Sequence, residues 1–267
     1  MFADSLPDLA EAVGDDGKLQ IAVDPRLVSL FARSFPSAEV GVYDDRKLIG
    51  PDGSQEIRLI PWAVATGQPD YYVPMGTALQ FLRKRVEDFP GRAFLRPDPE
   101  RVAEYRERLL GFGDGPFVGI CWRSMMSDIK RQKYFSPLDS WGPILKTPGA
   151  RFVNLQYGDC AAEIAAAEDL HGITIHRMAD LDLKADIEGA AALSAACDLA
   201  ISAPTAAAAI AGGVGTEVWY LTAGRTWPQL GTDRFPWYKS SRVCSPEKFG
   251  DWQALMPSVA ADLAARC

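Results

Sequence analysis

The 267-residue chain has only two histidines, His171 and His176. A mechanism built on several imidazoles, or a multi-histidine metal centre, therefore lacks its ligands. The five cysteines (Cys121, Cys160, Cys197, Cys244 and Cys267) are scattered, with no CxxC pair among them. Such an odd, dispersed set fits reduced thiols in the cytoplasm, not a disulfide frame or a zinc site. No apolar run approaches the roughly 18 residues of a membrane span, and no basic-then-apolar leader is visible. Positive charge is also short. A formal net charge of −7 argues against nucleic acid as a partner, because that recognition needs a basic face. No GxGxxG follows any expected strand, which counts against a dinucleotide-dependent oxidoreductase.

What the chain does have is apolar substance, 48% of its residues, enough for one large domain or two of ordinary size. Residues 2–13 read as a helix with Leu6, Leu9, Ala10 and Val13 on one face, and no strand precedes it. Asp4, the early carboxylate, is expected to face solvent or to cap that helix. Strands are expected at 19–23, 39–43 and 57–60, with a helix over 25–34 and a charged connection over 44–55. Residues 71–75 and a helical 77–86 follow. Pro97-Asp98-Pro99 then opens a helix through Leu110, with Asp98 as its N-cap. Residues 111–116 (GFGDGP) form the most linker-like stretch.

Beyond that linker the pattern is regular. Strands are expected at 117–122, 151–157, 173–177, 199–202 and 217–222, separated by helices at 138–146, 160–170, 186–196 and 205–211. Five short apolar strands alternating with helices predict a parallel, Rossmann-like sheet covered on both faces. Ligands of such sheets lie at the carboxyl ends of the strands. The residues there become the candidates.

The turn between the expected strand at 199–202 and the alanine-rich helix after it stands out. Unpaired N–H groups and the positive end of the helix dipole make the start of that helix, at Thr205 and Ala206, an anion site. The loop after Trp122 carries Arg123, Lys130, Arg131 and Lys133, four cations in eleven residues of an acidic protein. Such side chains suit a phosphate or diphosphate, and equally a solvated basic loop. After the next strand, Gln156 and Glu163 have the chemistry to bond a ribose or base edge, with Tyr157 stacking; Asp159 reads as a cap. His176 reads as structural. The acidic run Asp180, Asp182, Asp186 and Glu188 lacks the density of a calcium loop, with Asp186 as a helix N-cap. In the long loop 223–240, Trp227 is a candidate sugar contact or a loop anchor, and Trp237 an anchor. A final amphipathic helix is expected over 251–265.

With these residues in view, the chain resembles the heptosyltransferase-like, family 9-like glycosyltransferases, above all the GT-B-type domains found behind tetratricopeptide repeats in bacterial proteins. The matching segments are FADSLPDL from Phe2, VGICWR from Val118 and FVNLQYGD from Phe152. AAAL from Ala190, CDLAIS from Cys197, PWY from Pro236 and GDW from Gly250 complete them. The resemblance implies an α/β fold of two Rossmann-like domains facing a cleft. Residues 1–112 would form the acceptor side, lacking the usual first strand, and residues 113–245 the nucleotide-sugar side. Residues 246–267 would cross back to the first domain. It further implies that Arg123, Ser124 and Lys130 or Arg131 meet the donor diphosphate, together with Thr205 and the backbone of Ala206. Gln156, Tyr157 and Glu163 would lie near the nucleoside. No metal or other cofactor is implied; the partners are a nucleotide sugar and an acceptor, glycan or protein.

The chain departs from the family pattern twice. Relatives place a strand and a Gly-Asp loop just before the segment matching Met1-Phe2-Ala3, and the acid there is the implied general base. Relatives also carry Asp-Thr with a His four residues after the Thr, where this chain reads Pro204, Thr205 and Ala209. No catalytic residue is assigned on this pattern. The alternative reading is a binding or protein-interaction module of the same fold without turnover.

Overall fold

In the computed structural model, residues 1–49, 56–65, 67, 69–125 and 129–267 are described, with backbone alone for 45–49, 56–58, 129 and 130. The chain opens with a 3-10 turn, Phe2–Ser5, that runs into a helix, Leu6–Val13. Strands β1 (Gln20–Val23) and β2 (Glu39–Val42) then pair in parallel around the helix Val28–Ser34. The segment expected as a charged connection instead holds β3 (Asp44–Ile49), paired antiparallel with β4 (Glu56–Leu59).

The second part is built on a six-stranded parallel sheet: β5 (Phe117–Cys121), β6 (Arg151–Asn154), β7 (Ile175–His176), β8 (Leu199–Ser202), β9 (Val218–Leu221) and β10 (Ser241–Cys244). In space they run β10-β9-β8-β5-β6-β7. This is the doubly wound order in which the chain reverses direction across the sheet after its third strand. The sequence reading gave five of the strands. β10, just past the loop read over 223–240, is the addition: it joins the edge with Ser241 opposite Val218.

Both faces of the sheet are covered, and side chains alternate accordingly. From β5, Phe117 and Cys121 enter one core while Val118, Ile120 and Trp122 enter the other. The first core is closed by the helices Pro99–Leu110, Ile187–Ala196 and Ala206–Val214. It continues without a break into Leu30, Phe31 and Phe35 of the N-terminal part. Caps set the helix starts. Asp98 accepts from Glu100 N at 2.9 Å, and Asp186 from Gly189 N at 2.8 Å. Arg101 pairs with Asp186 at 2.6 Å, which ties the helix before the glycine-rich turn to the start of the helix Ile187–Ala196.

The final helix is Trp252–Ala264, within the span expected to be helical. Trp252, Leu255, Met256, Val259 and Leu263 pack into the second core with Trp141, Ile144 and Trp219, on the outer face of the six-stranded sheet. The helix therefore closes that face of the sheet. Burying five apolar side chains there is worth on the order of 10 kcal/mol before conformational entropy is subtracted.

Candidate functional site

In a sheet of this order the crevice lies where the chain reverses, between β5 and β8. Their registers bring Cys121 level with Ser202, so the loops starting at Trp122 and Ala203 open side by side. The thiol of Cys121 sits 3.4 Å from the hydroxyl of Thr205 across that crevice. Burial pushes this thiol up to about 11, so it stays a neutral packing group.

Thr205 is the N-cap of the helix Ala206–Val214, yet its side chain makes no capping bond. Thr205 is half-buried and Ala206 exposed. The first-turn N–H groups, which have no acceptor within a helix, therefore face an open edge with the dipole behind them. Gly212 and Gly213 let this helix sit close to its neighbours; a Cβ on Gly212 would stand 2.6 Å from Tyr238, and one on Gly213 2.7 Å from Leu95.

Gln156 arrives from the loop after β6 and is buried. Its Oε1 accepts from Trp122 N at 3.1 Å and Arg123 N at 3.0 Å, and its amide donates to Tyr157 O at 3.1 Å. A residue expected beside a nucleoside thus has its polar atoms engaged in shaping the β5 loop. Tyr157 is half-buried against the first core. Beyond it Gly158 carries φ +78° beneath Met125; a Cβ there would meet the Met125 sulfur at 2.5 Å. Asp159, expected as the cap, stands one residue before the actual N-cap Cys160, and its carboxylate accepts from Ala161 N at 3.4 Å.

Arg123 and Glu163 are brought together. Both carboxylate oxygens of Glu163 accept from Arg123 Nε at 2.9 Å, Nη2 joins them, and Trp122 Nε1 donates to Oε2 at 2.5 Å. Burial opposes ionisation of Glu163, but these hydrogen bonds outweigh it and hold the carboxyl below its usual range. Arg123 is raised in turn, first by its bond to Glu163. Ser124 and Arg131 each make a contact within the chain, while the side chain of Lys130 lies outside the described residues. Tyr134 meets Phe249 edge-on at 5.5 Å, and a Cβ on Gly250 would lie 3.9 Å from Lys133 O.

On the other side of the crevice the N-terminal turn meets the loop after β9. Trp227 is 61% exposed and stacks on Phe2 with ring centroids 6.3 Å apart. Trp237 is buried, edge-on to Trp227 at 5.7 Å, and anchors that loop. Asp4 neither faces solvent nor caps the helix as expected. It is 2% exposed and pairs with Arg83 Nε at 3.2 Å, and Arg83 also binds Asp8. Burial raises the Asp4 carboxyl to about 6 despite the pull of Arg83, and its Oδ1 has no hydrogen-bond partner. Arg83 lies 79 positions along the chain, which explains why no local signal pointed to the pair. His176 stacks on Phe112 at 4.1 Å, a structural role.

No protein-family model matches the chain. It is 44% identical over 264 residues to the protein FlbA of Caulobacter vibrioides, a match covering 98% of this chain and 44% of FlbA. The chain thus spans less than half the length of that relative. Among solved structures it is similar to the glycosyltransferase of family 9 from Veillonella parvula, with a TM-score of 0.63 at 11% identity, over 100% of this chain and 93% of that one. The E. coli ADP-heptose LPS heptosyltransferase II gives the same TM-score, 0.63, at 12% identity, over 99% and 93% of the two chains. Identity this low speaks for architecture alone, and the architecture is that of the family 9 glycosyltransferase structures.

Proposed function

We propose that this chain is a glycosyltransferase-type protein that binds a nucleotide-diphosphate sugar and transfers the sugar to a glycan or protein acceptor. In this reading residues 113–245 hold the donor and residues 1–112 present the acceptor, in the two-domain GT-B manner. The observation that carries it is the crevice between β5 and β8, with the open helix start at Thr205 and Ala206 on one side and the Arg123 loop on the other. Such a helix start suits the diphosphate of a donor. The shared architecture with a structure described as an ADP-heptose enzyme supports the same ligand class.

In the transfer, an acceptor oxygen would bond to the anomeric carbon while the bond from that carbon to the diphosphate breaks. The departing charge would be met by the helix start and the basic loop, with no metal called for. The acceptor proton would go to a base that is not assigned. Calorimetry with UDP, GDP, ADP and dTDP and their hexose conjugates, ADP-heptose included, tests the reading. Binding of at least one pair is expected, and no binding by any of them would sink it.

The second reading is a nucleotide-sugar-binding or interaction module without turnover. Ala209 favours it: the family pattern places an imidazole there, and this chain offers a methyl group. Binding without transfer to any acceptor would decide for this reading. Among the described residues no helix is long and apolar enough to cross a membrane; the cytoplasm as the site of action is part of the proposal.

A further inference from the structure

Past the crevice, at the carboxyl ends of β9 and β10, lies an open pocket of about 510 Å³ lined by Gly224, Arg225, Ser245, Pro246, Glu247 and Phe249. Its size is ordinary for a small-molecule site. Its chemistry is mixed. Phe249 is 57% exposed and is held on one edge by Tyr134, so a flat apolar face is presented to the opening. Gly224 lets the backbone approach that ring; a Cβ there would come within 3.3 Å of it. Around the ring stand the guanidinium of Arg225, the hydroxyl of Ser245 and the carboxylate of Glu247. These three side chains are exposed and have no hydrogen bond or ion pair with any other described residue. A flat ring ringed by unpaired donors and acceptors matches a pyranose, which has apolar C–H faces and a rim of hydroxyls.

The order of the sheet gives the direction. Tyr157 follows β6, the crevice lies between β5 and β8, and the pocket lies beyond β9 and β10. Neighbouring strands are about 4.8 Å apart, so the two loops that line the pocket, after β9 and after β10, lie one and two strand spacings, about 5 and 10 Å, from the end of β8 that leads into Thr205. An extended nucleotide sugar laid across these ends would put base, diphosphate and sugar over the three places in that order. Arg225 also stands two residues before Trp227, which packs on Phe2 of the N-terminal part, so this end of the row faces the proposed acceptor side.

We infer that the Arg225–Phe249 pocket is the subsite for the sugar ring of the donor. The inference rests on the donor-binding reading above. The test is calorimetry on the full chain with UDP and UDP-glucose, GDP and GDP-mannose, and ADP and ADP-glucose, comparing wild type with Phe249→Ala, Phe249→Tyr and Arg225→Ala. For the pair that binds, Phe249→Ala and Arg225→Ala should each weaken the sugar conjugate roughly tenfold and leave the free diphosphate within about twofold. Phe249→Tyr, which keeps the flat ring, should bind as wild type does. Equal weakening of both ligands, or of neither, would overturn the subsite and leave donor binding standing. Wild-type protein that binds none of the six would overturn both.

Discussion

Glu163 grips the guanidinium of Arg123 through both carboxylate oxygens and takes the indole N–H of Trp122 on the same group. The two charged side chains are 23% and 39% exposed, so water screens the pair and its worth is nearer that of a surface bridge than of a buried one. A double-mutant cycle with Arg123→Ala and Glu163→Ala is expected to give a coupling energy of about 1 kcal/mol in urea titrations. A coupling indistinguishable from zero would mean that the contact is not formed in solution.

Arg123 has a second expected effect. If its remaining edge meets the diphosphate of a donor, Arg123→Ala should weaken nucleoside diphosphates by about 1–3 kcal/mol. Calorimetry with the tightest-binding nucleotide reads this directly. Unchanged affinity would move the diphosphate away from the β5 loop.

Gln156 is a test of how firmly that loop is held. Its Oε1 is the acceptor for two consecutive backbone N–H groups, those of Trp122 and Arg123. Gln156→Leu leaves both without that acceptor and should cost about 2–3 kcal/mol in unfolding free energy, while Gln156→Glu should cost less because an acceptor remains. Equal losses for the two variants would show that packing, not the hydrogen bonds, is what matters there.

Asp4 sets the sign of one pH dependence. Its carboxyl is lifted by burial to about 6, against about 4 in an unfolded chain. Below pH 4 the group is protonated in both states and its contribution is complete. As pH rises toward 6 and beyond, the unfolded state gives up the proton first, and stability is lost. Wild type should therefore lose about 2–3 kcal/mol between pH 4 and pH 7 that Asp4→Asn does not lose. Parallel stability profiles for the two proteins would refute the assignment.

These residues also mark where the sequence was legible. β5, β8 and β9 are buried on both faces and read as short continuous apolar runs, so the strands and their carboxyl ends could be read from pattern, whereas the order that sets the crevice between β5 and β8 depends on pairing across the chain. β10 could not: it is an edge strand, SRVC, with two apolar residues and one paired neighbour. β3 begins with Asp-Asp-Arg-Lys, which reads as a loop until the antiparallel partner is known. At the site, the helix start at Thr205 was legible because it depends on local geometry. The burial of Asp4 and the exposure of Phe249 depend on residues far along the chain, and neither leaves a local trace.

The helix start itself can be tested by setting stability against binding. Ala206 is exposed at the first position of the helix Ala206–Val214, and no acidic residue stands in its first turn. A carboxylate there interacts favourably with the dipole, so Ala206→Glu should stabilise the free protein by about 0.5 kcal/mol. If the same N–H groups receive a diphosphate, the new carboxylate competes with it, and nucleotide affinity should fall at least tenfold. Ala206→Lys should act in the opposite sense on both counts, slightly less stable and no weaker in binding. A gain in stability with unchanged affinity would show that the dipole is real and the anion sits elsewhere. Paired urea titrations and calorimetry on the two variants separate these outcomes, because misfolding would lower stability in both variants, whereas a phosphate site moves stability and affinity in opposite directions.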